Sequence, residues 1–140
     1  ALAARDPARS GPLQAALANA QSLQAGVSFL QGDWFNALAP GAAFDLIVSN
    51  PPYVAAADPH LAALRHEPGL ALTDGGDGLR CLSILIAGAR AHLLAGGWLA
   101  LEHGYDQAAA VAQRMRDAGF REVTMTRDAG GQTRVTAGRA

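Results

Sequence analysis

"FDLIVSNPPYV", residues 44 to 54, is the stretch whose reading decides the fold. Phe44 to Ser49 is nearly all apolar, the pattern of a central parallel strand covered on both faces. The run stops on a polar amide, Asn50, then meets two prolines and an aromatic ring. In open parallel sheets, ligands bind outside the carboxyl ends of the strands, and Asn50 lies at such an end. Its side chain carries one carbonyl acceptor and one amide donor, the complement of a planar amide or amine. Pro51 and Pro52 fix two φ angles and remove two backbone donors while keeping both carbonyls. The residues before them are pushed into extended conformations. The result is a stiff ledge of acceptors beside the Tyr53 ring, suited to gripping the N–H groups of a flat nitrogen nucleophile. The plainer alternative is a turn after a strand, with Tyr53 covering a core edge.

Working outward, Ser10 followed by Pro12 marks a helix start. Leu13, Ala16, Leu17, Ala20 and Leu23 recur at helical spacing up to Gly26, the predicted stop. A short strand is predicted over Val27 to Leu30, leading into Gly32-Asp33-Trp34. Residues 54 to 76 carry Pro59, Pro68 and the Gly75-Gly76 pair and are predicted irregular. A loop of that length in a compact domain is more often functional than idle. Asp77 is placed to cap an apolar, buried helix over Gly78 to Leu94. Gly96-Gly97 is predicted to turn into a second strong strand, Trp98 to Glu102. A helix from Asp106 follows, with Ala108, Val111, Ala112 and Met115 on one face and Gly119 ending it. Arg121 to Thr126 and Arg134 to Thr136 flank Gly130-Gly131 as an antiparallel edge hairpin. Strands separated by helices imply right-handed crossovers and an α/β fold with a mostly parallel sheet.

Composition narrows the function classes. The chain has 140 residues, half of them apolar, which suits one domain with a sizeable core. Eleven arginines, no lysine and twelve acids leave a net charge of −1. That balance gives no field for capturing nucleic acid. Cys81, the single cysteine, forms no internal disulfide and suits a reducing cytoplasm; on the apolar helix it is expected in the core. No apolar run is long enough to span a membrane, so a cytoplasmic location is expected. His60, His66, Glu102 and His103 match no zinc spacing, so no metal is expected. These four are weak site candidates, and Arg134 and Arg139 are expected as solvated edge-strand charges.

With its neighbours in view, "DLIVSNPPYV" resembles the signature of methyltransferases that use S-adenosylmethionine to methylate planar nitrogens. "QGDWFNAL" upstream of it and "HEPGLALTDGGDGL", "GGWLALEHG" and "RDAGGQTRVTAGR" downstream resemble, in the same order, one branch, the protein-(glutamine-N5) methyltransferases of peptide-chain release factors. The similarity covers roughly residues 13 to 139. It implies a Rossmann-like class I methyltransferase sheet. The acceptor would be the glutamine of a Gly-Gly-Gln (GGQ) tripeptide in the release factor. By resemblance, Asn50 and the Pro51 carbonyl hold the glutamine amide nitrogen, while Pro52 and Tyr53 shape its flank. Asp33 and Trp34 lie near the adenosyl part of the cofactor, with Asn50 beside them, and Glu67 helps order the loop over the acceptor. The plain alternative for Asp33 and Trp34 is a turn cap and a core filler.

Two family features have no counterpart. The Gly-rich loop that cradles the methionine part of the cofactor would precede residue 1, together with an N-terminal helical domain. The acidic residue that grips the ribose has only Asp6 as a candidate, with no apolar strand recognised beside it. Residues 1 to 140 are therefore expected to form part of a catalytic domain that alone binds S-adenosylmethionine weakly or not at all. Without its usual neighbouring strands, Phe44 to Ser49 would expose apolar surface. Two other functions compete: a methyltransferase acting on adenine or guanine amino groups of nucleic acid, and a non-catalytic remnant.

Overall fold

The computed structural model describes residues 2–4, 10–55 and 76–140. It divides into two compact units, Ala1–Ala42 and Ala43–Ala140. In the first unit, β1 (Leu2–Ala4) pairs in parallel with β2 (Phe29–Gln31), and α1 (Ser10–Ser22) lies between them in sequence. Leu13, Ala16, Leu17 and Ala20 form the less exposed stripe of α1, as their spacing predicts, while Leu23, the last of the series, lies past the helix end at 78 % exposure. The helix ends earlier than predicted. Gln24, at φ 50°, supplies the left-handed residue, with Ala25 N–H bonded to the Ala20 carbonyl at 2.9 Å and Gln24 N–H to Gln21 at 3.1 Å. That closure satisfies the last carbonyls two residues before Gly26. Strand β2 correspondingly sits at Phe29–Gln31 rather than Val27 to Leu30. Strand β1 corrects the expectation that no strand precedes α1. Leu-Ala-Ala has little strand propensity of its own, and pairing with β2 supplies the order. Asp6 lies outside the described residues.

The second unit is a four-stranded mixed sheet in the order β3-β4-β6-β5. Strand β3 (Phe44–Ser49) pairs in parallel with β4 (Leu93–Glu102), and β4 and β5 (Arg121–Arg127) flank β6 (Thr133–Arg139) in antiparallel register. The hairpin is thus at the sheet edge, as predicted, with longer strands. Between β3 and β4 lies α2 (Arg80–Ala89), and between β4 and β5 lies α3 (Ala108–Asp117). Cys81, Leu82, Leu85, Ile86 and Ala89 of α2 are buried, as are Val111, Ala112 and Met115 of α3. No described helix is long and apolar enough to cross a membrane.

Helix α2 is shorter than the predicted Gly78 to Leu94. After Ala89 the chain tightens into a 3₁₀ turn over Arg90–His92, and β4 begins at Leu93. Gly96-Gly97 is therefore not a turn before the strand but an irregularity inside it. Phe44 pairs with Leu93 while Leu46 already pairs with Trp98, so β4 carries the extra residues as a bulge. Gly96 takes φ +79°, which a side chain would resist. Asp77 accepts from Leu79 N–H at 2.9 Å, an Asx turn just ahead of α2.

The pleat assigns the faces. Leu99 and Leu101 are fully buried, and Gly138, paired with Leu99, lies where an added Cβ would be 3.4 Å from the Met115 sulfur of α3. That face packs under the helices. Leu46 and Val48 pair with Trp98 and Ala100 and point the other way, at 55 % and 68 % exposure. This corrects the expectation of a strand covered on both faces. Among the described residues β3 has one strand neighbour, β4, and an apolar run reports hydrophobicity, not cover.

Candidate active site

Three chain segments meet at the carboxyl end of β3. Because β4 runs parallel, its own end, Glu102-His103-Gly104, lies beside Asn50-Pro51-Pro52-Tyr53. Because β6 runs antiparallel, its start comes to the same place, with Val135 opposite Glu102. Asn50 is exposed, Pro51 is buried, and Pro52 and Tyr53 are half-buried. The amide therefore faces solvent from an anchored base. Beside the ring opens a shallow cavity of about 410 Å³ lined by Tyr53, Glu102, Thr126, Arg127, Asp128, Arg134 and Val135.

Tyr53 is held at both ends. Its hydroxyl donates to Glu102 Oε1 at 3.2 Å, and its carbonyl accepts from Gln107 Nε2 at 2.9 Å. Burial pushes the phenol above its ordinary value, and the charge and hydrogen bond of Glu102 push it the same way, against Arg134. At neutral pH the phenol therefore keeps its proton and acts as a donor. Arg134 pairs with Asp128 at 3.4 Å, and its guanidinium sits 5.9 Å from the centre of the Tyr105 ring. The Asp128 carboxyl is held below its usual range, first by the Gln132 backbone N–H, then by that of Gly130 and by Arg134.

Asp33 is exposed and stands at the start of a 3₁₀ turn, Trp34–Ala37, without a side-chain cap bond to it. Trp34 is half-buried with φ +51°, an uncommon conformation for so large a residue. Gly32 permits the turn, since a Cβ there would lie 2.5 Å from the Ala37 Cβ. Asp33 and Trp34 belong to the first unit, Asn50 to Tyr53 to the second. Glu67, His60 and His66 lie outside the described residues.

Glu102, a weak candidate from the sequence, is bonded to Tyr53, as is Gln107, and Gly78 lies against the Tyr53 carbonyl; the sequence singles out neither Gln107 nor Gly78 as a site residue. Glu102 and Gln107 lie 49 and 54 positions from Tyr53, so no local pattern joins them. Gly78 carried a signal, a glycine just before a helix, and has φ +78°. His103 is fully buried, with Nδ1 2.8 Å from the Gly104 carbonyl and Nε2 2.8 Å from Thr136 Oγ1. Its place is structural. Arg139 is a surface charge, as expected, paired with Glu122 at 3.0 Å. Cys81 is buried, also as expected.

The mixed α/β sheet with this turn at a strand end has the fold of a class I methyltransferase. A crystal structure of a methyltransferase from Pyrococcus furiosus matches 90 % of the chain and 56 % of its own length, with a TM-score of 0.66 at 19 % identity. No protein-family model matches. Among curated proteins, the release factor glutamine methyltransferase of Xylella fastidiosa strain Temecula1 is 56 % identical over 115 residues, 81 % of this chain and 42 % of that protein. The one from Burkholderia pseudomallei is 47 % identical over 137 residues, 96 % of this chain and 43 % of that protein. The chain belongs to the release factor glutamine methyltransferase family, and it spans less than half the length of these relatives.

Proposed function

We propose that the protein carrying this chain transfers a methyl group from S-adenosylmethionine to the side-chain amide nitrogen of the GGQ glutamine in peptide-chain release factors. Residues 1–140 form part of its catalytic domain. The observation that carries the reading is the solvent-facing Asn50 on a buried Pro51 at the end of β3, within a chain 56 % identical to an enzyme named for this activity.

An amide nitrogen is a poor nucleophile because its lone pair is delocalised into the carbonyl. The Asn50 side-chain oxygen and the Pro51 carbonyl are the acceptors proposed for its two N–H groups. Holding both aims the nitrogen and favours its pyramidalisation, a positioning effect worth on the order of several kcal/mol. The same oxygens stabilise positive charge growing on nitrogen during displacement. Tyr53 flanks the amide plane, and Glu67 is proposed to help order the loop over it. Once methylated, the cationic nitrogen releases its proton to water, so no strong base is required. The chemistry of the first unit's residues fits the cofactor: the Asp33 carboxylate for the adenine amino group, the Trp34 indole for its ring. Bound there, S-adenosylmethionine supplies an electrophilic sulfonium methyl.

The test incubates the complete protein with methyl-labelled S-adenosylmethionine and either a release factor or RNA. Label is expected in the GGQ glutamine. Asn50→Ala is expected to abolish turnover while leaving cofactor affinity within about twofold, since it removes an acceptor for substrate. Label in RNA, or undiminished turnover by the variant, would overturn the proposal.

A further inference from the structure

We propose that Glu102 and Gln107 are positioning residues that clamp Tyr53 at both ends, and so fix the rim of the acceptor site for the methyl transfer proposed above. The inference rests on that reading of the site. Prolines at 51 and 52 restrict torsion, but torsion alone does not locate a rim relative to the rest of the sheet. Contacts from elsewhere in the fold must do so, and they converge on Tyr53.

The first is Glu102, at the end of β4, which accepts from the Tyr53 hydroxyl at 3.2 Å. The second is Gln107, at the position just before α3, which donates from Nε2 to the Tyr53 carbonyl at 2.9 Å. Its Oε1 accepts from Gly104 N–H, also at 2.9 Å. These two bonds fix which way the Gln107 amide points. A flipped amide would set oxygen against oxygen and N–H against N–H, leaving both backbone groups unpaired. The third is Gly78. An added Cβ there would collide with the Tyr53 carbonyl oxygen and lie 2.7 Å from Gln107 Nε2. Tyr53 thus has an acceptor at its ring tip, a donor at its carbonyl and a wall behind, and none of these is local in sequence. Misplacement of a reacting group by about 1 Å costs on the order of a hundredfold in rate, so residues that touch no substrate still govern turnover.

The test uses the complete enzyme carrying this chain, with turnover on release-factor glutamine and affinity for S-adenosylmethionine measured side by side. Glu102→Ala is expected to lower kcat by about tenfold or more with cofactor affinity unchanged. Glu102→Gln keeps an oxygen for the phenol and is expected to restore kcat to within about threefold of the parent. Gln107→Glu keeps the acceptor for Gly104 but loses the donor to Tyr53, and is expected to fall as Glu102→Ala does. In a Tyr53→Phe background, Glu102→Ala should cost less than about twofold, because the link is already cut. A full, multiplicative loss there would overturn the clamp.

A second readout needs no substrate. The ultraviolet titration of the parent minus that of Tyr53→Phe isolates this phenol. Glu102→Ala should shift it to lower pH, since Glu102 opposes ionisation. An unchanged titration overturns the clamp by itself. A parent that leaves the glutamine unmethylated while the titration shifts overturns the proposed reaction and the positioning role tied to it.

Discussion

A phenol that donates to a carboxylate makes the fold sensitive to alkali. The Tyr53 phenol is raised above its ordinary value of 10.0, first by burial and then by Glu102. A raised folded-state value means the group's contribution to stability is fully present below pH 10.0 and is lost as pH rises through the folded value. The chemical-denaturation midpoint of the parent is expected to fall more steeply from about pH 10 upward than that of Tyr53→Phe. Parallel declines would dissociate Tyr53 from the effect. A second prediction concerns His103. The Nδ1 N–H donates to the Gly104 carbonyl at 2.8 Å, and Nε2 lies 2.8 Å from the Thr136 hydroxyl oxygen. Thr136→Val leaves that buried nitrogen unpaired and is expected to cost about 1–3 kcal/mol, measured by denaturant titration. Thr136→Ser should restore most of it. At this scale the sequence announces Asn50 and Tyr53, because two prolines after an apolar strand are an unusual local arrangement. It hides Glu102 and Gln107, because a hydrogen bond across 49 or 54 positions leaves no periodicity to read.

Helix ends show what local chemistry does determine. Gly119, predicted as the stop of α3, sits at φ +85°, with its N–H bonded to Arg116 at 2.9 Å and Phe120 N–H bonded to Met115 at 3.0 Å. Phe120 and Met115 are both buried, giving the apolar contact that accompanies this closure. Gly119→Ala is expected to destabilise the second unit by about 1–2 kcal/mol, since a Cβ is unfavourable in the left-handed region. The Arg90 guanidinium also occupies the space a Cβ would need. A change within about 0.3 kcal/mol in denaturant titration would contradict the assignment. The same reasoning fails at α1 and β4. Glutamine rather than glycine closes α1, because the 2.9 Å bond from Ala25 to Ala20 sets the end. Gly96-Gly97 lies inside β4, because β3 offers Phe44 a partner at Leu93. In each case a tertiary or closure bond outweighs the residue's own preference.

The second unit as a whole carries helices on one sheet face and exposed aliphatic side chains on the other. Val48 and Leu46 lie in β3, whose one strand neighbour among the described residues is β4. An outer strand with open backbone groups and apolar side chains is a template for pairing with another copy. Hydrophobic burial is worth about 1.5–3 kcal/mol for a fully covered valine or leucine, and a half-covered one recovers part of that. The 140-residue chain is therefore expected to self-associate, in line with the exposure anticipated from its sequence. Lysine is the common natural remedy on such strands, since a charge resists desolvation in an edge-to-edge contact. Val48→Lys points its ammonium away from the buried Leu99 and Leu101, so the helix-side core is untouched. It is expected to raise the concentration at which association begins by about tenfold, roughly 1.4 kcal/mol, with the circular dichroism spectrum unchanged. Sedimentation velocity over a concentration series reads this directly. If Val48→Lys and the parent associate alike, the outer face of β3 does not drive assembly, and contact through another surface must be sought.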